Sequence, residues 1–221
     1  MQKNWDPEKY LRYEQYRARP ALDLMAQVKL EIQGDIVDLG CGPGNVTQIL
    51  ADKWKDRHVF GVDNSPEMLV QAKANYDQEN ITWHLKGIED WSPEKNIALI
   101  FSNAALHWVS DHPLLLTKLL GFLEPGGHFA VQIPITEHSE YQLCIRKTIE
   151  TDRWRHKLSK IWMYKDPLPP ETIYQILLPF CSNIDVWVTN YFHVLEGNNP
   201  VTEWIKATGL TPYLGVLSSA E

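Results

Sequence analysis

The sequence predicts an α/β fold: a doubly wound, mostly parallel sheet with a helical cap. Three observations predict it. Short apolar runs alternate with helical segments from residue 36 to residue 134. Such alternation implies parallel strands joined by right-handed helical crossovers. The first run, Ile36-Val37-Asp38-Leu39, leads directly into the glycine-rich turn Gly40-Cys41-Gly42-Pro43-Gly44-Asn45. The second run ends in an acid, Asp63, 19 residues beyond Gly44.

The elements follow in order. Residues 1–33 precede the first strand. Asp6-Pro7 forms a helix start, and Tyr10, Tyr13 and Tyr16 recur at a helical spacing of three. Arg17-Ala18-Arg19-Pro20 then precedes a core stripe of Leu22, Met25 and Ala26. Tyrosines beside two arginines fit a solvated face and equally a lid that covers a cofactor. Ile36, Val37 and Leu39 suit a strand covered on both faces. Val46, Ile49, Leu50 and Lys53 keep helical spacing after the glycine turn. The second strand spans 58–63. Ser65 and Pro66 then supply an N-cap and a first helical residue. The third strand covers 81–85, with an exit loop from Lys86 to Trp91, and the fourth covers 97–102 and delivers Asn103 to Trp108. Asp111-His112-Pro113 caps a helix over 114–123, and Pro125-Gly126-Gly127 turns into a fifth strand over 128–133. Residues 135–180 lose the alternation and read as a helical cap rich in charge and tryptophan. A long β-rich run over 184–195 predicts a late strand, followed by a short helix over 200–207 and a loop over 208–213. The whole, 1–221, reads as one domain: a helical lid (1–33), a cofactor-binding core (34–134), a cap insert (135–180), and a late strand with a short helix (181–221).

Bulk properties narrow the function. With 221 residues and a net charge of −7, nucleic acid and anionic membrane are not expected partners. No segment has the length and apolarity of a membrane span, and the first residues start no signal peptide. Cys41, Cys144 and Cys181 are scattered without paired spacing. That pattern opposes a zinc site or a disulfide framework, so no metal is expected and a cytoplasmic location fits. Cys41 in the glycine turn is either a reactive thiol or a small filler.

The glycine turn at the carboxyl end of a parallel strand is a cofactor cradle. Its spacing is G-x-G-x-G, not the dinucleotide fingerprint G-x-G-x-x-G, and no phosphate loop is present. Asp38 at the entrance would repel a pyrophosphate, so a cationic or zwitterionic ligand fits better. Asp63 lies about where an acid receives ribose hydroxyls. Met68, one turn into the next helix, suits contact with an adenine ring or plain core packing.

The pair D-x-G-x-G-x-G and strand-ending Asp63 resembles the S-adenosylmethionine (SAM) site of class I methyltransferases, whose fold is Rossmann-like. Several further pieces resemble, more narrowly, the trans-aconitate methyltransferase family. They are W-x-P-x-x-Y from Trp5 to Tyr10, R-x-R-P-A from Arg17 to Ala21, DLGCGPGN from Asp38 to Asn45, the stretch from Gly61 through Asp63 to Met68, and N-A-x-x-x-W-V-x-D-H from Asn103 to His112. P-L-P-P at Pro167 to Pro170, D-V-W at Asp185 to Trp187 and EWIKATGLTPYL at Glu203 to Leu214 complete them. The glycine turn is specific only to the class, whereas the last stretch is specific to the subfamily.

The resemblance implies transfer of the SAM methyl group to a carboxylate of a small polycarboxylic acid, leaving S-adenosylhomocysteine (SAH). It places Asp38, Gly40, Cys41, Gly42, Asn45, Asp63, Asn64, Met68, Gly87, Ile88, Glu89, Asn103, Ala104 and Arg19 with the cofactor. Tyr10, Arg17, His107, Trp108, Trp154 and Tyr213 fall to the substrate, while Trp204 is assigned to packing. A carboxylate with a pKa near ~4 is already ionised at neutral pH, so the reaction needs no general base and no catalytic residue beyond those that orient. Two departures stand out. The loop over 86–91 lacks the aspartate that often meets the adenine amine in the family, leaving backbone groups or Glu89 for that task. The family's final strand has no counterpart before Glu221, which would leave the 184–195 run beside a gap in a monomer, or beside a neighbour's strand in a dimer. Methylation of another carboxylate or of a macromolecule, and cofactor binding without catalysis, are the competing functions. The absence of an asparagine-proline-proline-aromatic motif speaks against the macromolecular ones.

Overall fold

The structure, a computed structural model, describes residues 14–136, 139–161, 168–206 and 209–218. Its centre is a five-stranded sheet: β1 (Ile36–Leu39), β2 (Val59–Asp63), β3 (Ile81–Leu85), β4 (Ile97–Asn103) and β5 (Leu123–Gln132). The order is β3-β2-β1-β4-β5 and every pairing is parallel. Ile36 stands opposite Val59 on one side and Leu99 on the other. The order reverses between β1 and β4, which opens a crevice at the carboxyl ends of these strands.

Residues of β1 and β4 are buried on both faces, as their apolar sequences demand. The pleat divides them. Ile36, Leu99 and Phe101 join Ala21, Leu24, Met25 and Leu50 under α1 (Glu14–Gln27) and α2 (Asn45–Lys53). Val37, Leu39 and Ile100 face Trp91, Leu115 and Leu119, the last two on α4 (His112–Leu120). Ile97 shares a face with Ile100 because the register shifts between Ile97 and Leu99. α3 (Pro66–Asn75) connects β2 to β3; its N-cap Ser65 accepts from the Met68 N–H at 3.3 Å. After β5 come α5 (Glu140–Glu150), α6 (Asp152–Leu158) and α7 (Pro170–Leu177), in the stretch expected to form a cap, and α8 (Pro200–Lys206) and α9 (Thr211–Leu214) follow. Ile149, Leu158 and Tyr213 form a small third cluster there.

Four expectations need correction. Of the expected core stripe Leu22, Met25 and Ala26, only Met25 is buried, and helix α1 includes Pro20 within its length. One buried face, Ala18, Ala21, Leu24, Met25 and Val28, offsets the lost backbone hydrogen bond. The Pro125-Gly126-Gly127 turn lies within β5, whose pairing resumes in register at His128 opposite Leu99. The 184–195 run forms no strand. Its β-branched and aromatic residues supply propensity, but a strand exists only beside a hydrogen-bonded neighbour, and none pairs with it among the described residues. Finally, Thr211–Leu214 is a short helix, where a loop is expected. Trp5 to Pro7, Tyr10, Tyr13 and Trp162 lie outside the described residues.

Candidate active site

The β1–α2 turn is built by steric necessity. Gly40 takes φ 74°, and a Cβ there would sit 2.2 Å from the Ala105 Cβ, so only glycine lets the turn pass under the end of β4. A Cβ on Gly44 would meet Trp83 at 2.6 Å. Gly42 differs: a Cβ there would meet nothing within 4 Å. The turn is therefore tightly packed at its two ends and open above its middle.

Asp38 lies beneath this turn, 1 % exposed, and accepts from the Thr47 hydroxyl at 2.6 Å. Burial pushes its carboxyl up to about 7; the Thr47 hydrogen bond opposes that rise and nearby Asp63 adds to it. Asp63 ends β2. One of its oxygens accepts from the Gly42 N–H at 2.9 Å and the other from the Ser65 N–H at 2.8 Å. Burial also raises its pKa, against the pull of backbone N–H groups from Ser65, Gly42 and Asn64. A carboxylate has about four lone-pair sites, so two backbone bonds orient it and leave acceptor capacity. Burial, Asp38 and Asp63 together push the Cys41 thiol well above its usual value. It stays protonated, which makes it a filler and not a nucleophile.

The other expected cofactor positions surround this turn. Asn45 is buried at the start of α2, and Met68 and Ile88 are buried apolar groups. Asn64 is exposed at the rim. Gly87 is crowded by two carboxylates: Glu89 and Asp90 each bring an oxygen to 3.3 Å from where its Cβ would be. Asp90 was not singled out from sequence; an acid pair in a strand-exit loop was the available signal. The Glu89 carbonyl accepts from the Lys118 ammonium, which fixes this loop to α4.

Asn103 ends β4, and Ala104 follows with φ 51°, a strained value for a residue with a side chain. Its N–H bonds the Gln132 carbonyl at the end of β5 at 3.0 Å. Among the described residues, Asn103 Oδ1 is buried with no hydrogen-bond partner. Buried polar atoms in this state are rare, and one at a crevice points to a missing donor. The chain then makes a 3₁₀ turn over Leu106–Trp108, held by His112 Nε2 at 2.9 Å from the Leu106 oxygen. The turn brings the His107 and Trp108 rings together, centroids 4.8 Å apart and planes tilted by 41°.

Asn103, His107 and Trp108 line a cleft of about 1640 Å³ together with Arg17, Gln142 and Tyr213. The structure thus brings four of the expected substrate residues to one cavity: Arg17, His107, Trp108 and Tyr213. Trp154 is not among its lining residues; it packs with Tyr213, Ile149 and Leu158. Arg19 stands outside the lining as well, paired with Asp23 at 3.9 Å on an exposed part of α1. Tyr10 lies outside the described residues. Sequence reasoning missed Thr47 and Gln142. Both are buried polar groups on helices, and only a polar residue on an otherwise apolar helical face could have signalled them.

A parallel sheet of this order, with its glycine turn below an acid-tipped second strand, defines a class I SAM-dependent methyltransferase. A family model described as "Methyltransferase domain" matches residues 36–127. The chain is 38 % identical over 219 residues to trans-aconitate 2-methyltransferase of Rhodopseudomonas palustris strain HaA2, covering 99 % of this chain and 85 % of the relative. It is 38 % identical over 226 residues to the same-named enzyme of Streptomyces avermitilis, covering 99 % and 84 %. Among solved structures, the plantazolicin methyltransferase BpumL, in complex with a pentazolic analog and SAH, aligns with a TM-score of 0.51 at 17 % identity, covering 78 % of this chain and 63 % of that one. The likeness to BpumL shows the fold alone. The chain belongs to the trans-aconitate 2-methyltransferase family.

Proposed function

We propose that this protein methylates a carboxylate of a small polycarboxylic acid, with trans-aconitate the first candidate. The observation that carries this reading is the continuity from cradle to cleft. Asn103 and Ala104 at the end of β4 line the cleft, Ala105 next in the chain lies against Gly40 of the turn, and the same segment leads to His107 and Trp108 in the cleft that also holds Arg17. The proposed cofactor and acid positions thus adjoin along one segment of chain. The name shared by relatives at 38 % identity supports the substrate class.

The residues present fit SAM. Gly42 leaves open space over the turn, where a ligand can lie against backbone. Asp63 is oriented by two N–H groups to accept ribose hydroxyls. The orphaned Asn103 oxygen suits the ammonium of a methionine moiety, and the cationic ligand suits the carboxylates of Asp38 and Asp63. Met68 and Ile88 offer apolar contact to adenine, and Gly87 with Glu89 or Asp90 meets its polar edge. When bound, SAM supplies an electrophilic methyl on a positive sulfur. A carboxylate oxygen forms the new C–O bond as the C–S bond breaks, its electron pair remaining on sulfur. No proton moves, so no residue of the chain serves as a base. The protein's contribution is to hold the acid in line and exclude water, for which proximity alone is worth up to ~7–11 kcal/mol. His107 and Trp108 wall the acceptor position, and Arg17 holds a second carboxylate.

The test is SAM turnover on trans-aconitate beside a panel of other polycarboxylates, monocarboxylates, an acyl-carrier-protein thioester and tRNA, with SAH binding measured by calorimetry. Turnover confined to polycarboxylates is the expected result. Turnover confined to the carrier protein or RNA would refute the substrate class, and absence of SAH binding would refute the cradle.

A further inference from the structure

The N-terminal helix and the late part of the chain meet at the cleft through an aromatic assembly centred on Trp204 of α8. The Trp204 indole stacks on His193, with centroids 5.1 Å apart and planes at 27°. Tyr16 of α1 lies 6.1 Å from the same indole and 5.1 Å from the His193 ring. The Arg17 guanidinium sits over the indole, 5.2 Å from its centroid, and Nη2 donates to the Trp204 carbonyl at 2.9 Å. Beside this group, Tyr191 stacks parallel to His193 and donates its hydroxyl to Asp23 at 2.9 Å. All of these residues line the same cleft as His107 and Trp108.

We infer that Trp204 is a positioning residue for an anion subsite: its ring face and its carbonyl together fix Arg17 for a substrate carboxylate other than the one methylated. This rests on the proposed carboxylate substrate. Two contacts from one residue, one to the guanidinium face and one to its edge, define both the plane and the rotation of the guanidinium. Arginine is otherwise a long side chain with about 2 kcal/mol of rotamer entropy to lose on binding. Holding it in advance removes that loss from the binding step. Its five N–H donors serve the Trp204 carbonyl and a carboxylate at once. His193 and Tyr16 complete the support by holding the indole. Burial, together with the positive Arg19, lowers the His193 pKa, so the ring that stacks on Trp204 is neutral at pH 7. A subsite of this kind selects acids with more than one carboxylate.

The experiment compares wild type with Trp204→Leu, Trp204→Phe, Arg17→Met and the double variant Arg17→Met/Trp204→Leu. The readouts are kcat and KM for trans-aconitate and for an unsaturated monocarboxylate, with SAH affinity measured in parallel. Trp204→Leu should raise the trans-aconitate KM by about tenfold, while kcat and SAH affinity stay near wild type. Its monocarboxylate KM should hardly move, and Trp204→Phe should retain most of the function. The decisive sign is coupling: the double variant should be no worse than Arg17→Met alone, because Trp204 acts through Arg17. Additive losses, or an equal KM rise for both acids, would overturn the assignment and show Trp204 to be packing. Should Trp204→Leu not fold, the same comparison with His193→Leu, which removes the ring supporting the indole, decides it, an unchanged trans-aconitate KM being the refuting result. Wild-type enzyme that turns over no carboxylic acid would instead remove the substrate class, and this subsite with it. Turnover without coupling removes the subsite alone.

Discussion

Replacing Asp38 with asparagine removes a charge that burial penalises, and the consequence is a stability that depends on pH. Folded, the Asp38 carboxyl titrates at about 7, raised from its ordinary 3.8 by burial first and by Asp63. Between those values the native state holds a proton that the unfolded chain has released. Native protein therefore binds more protons, and stability falls as pH rises. The contribution is fully present below pH 3.8, declines through this window and is lost above pH 7. At about 1.4 kcal/mol for each pKa unit, the full penalty at high pH is about 4 kcal/mol at most. From pH 5 to pH 8 the loss is about 2–3 kcal/mol. Asparagine fills the same space and accepts the Thr47 hydroxyl, but it does not titrate. The assay is urea unfolding of wild type and Asp38→Asn, without cofactor, at several pH values across that range. Histidines titrate in the same window, but they are common to both proteins and cancel in the difference. The advantage of the variant over wild type should grow with pH by about 2 kcal/mol or more. A difference that is flat, or that shrinks as pH rises, would refute the argument that a desolvated carboxylate underlies the turn.

Three further outcomes follow from the same geometry. Gly40→Ala forces a methyl to 2.2 Å from the Ala105 Cβ at φ 74° and should cost about 2–4 kcal/mol in chemical denaturation. Asp63→Asn should weaken SAH binding by about tenfold to a hundredfold in calorimetry, since it removes the charge that strengthens hydrogen bonds to hydroxyls. Asn103→Leu should have opposite effects on two readouts. The cofactor-free protein should gain up to about 1–2 kcal/mol of stability, because an unsatisfied buried oxygen is gone, while SAM affinity falls by about tenfold.

The core of this fold is legible in the sequence because strands buried on both faces are apolar throughout. β1 and β4 carry that pattern, and the glycine turn between β1 and α2 announces its own geometry. Asp63 is legible too, since an acid closing an apolar run has few structural reasons to be there. What local sequence does not carry is pairing. Val186, Trp187 and Val188 have strand propensity, yet no described strand lies beside them, and all three are exposed. Leu22 and Ala26 share helical spacing with Met25, yet the face that α1 buries is set by tertiary contact and leaves both exposed. Nor does spacing reveal which of several tryptophans meets a ligand. Trp154 and Trp204 look alike in sequence, but one packs against Ile149 and Tyr213, and the other carries Arg17. Thr47 was missed for a similar reason: its importance lies in the carboxylate across from it, nine residues earlier.

The clasp between Arg17 and Trp204 joins residues 187 positions apart. Its consequence concerns the order in which the molecule is made. The glycine turn, Asp63 and the end of β4 are all synthesised within the first 103 residues. The wall that carries Arg17 must wait for α8, about ten seconds later at a rate near 10 residues per second. During that interval the nascent chain has the parts of the proposed nucleoside site before it has the parts of the proposed acid site. Once α4 and β5 have followed and covered β4, cofactor binding at the proposed cradle would stabilise this early half by mass action while the later half is still emerging. The two ligands of this enzyme would then differ in when they first find a place on the chain, with the methyl donor preceding the acceptor.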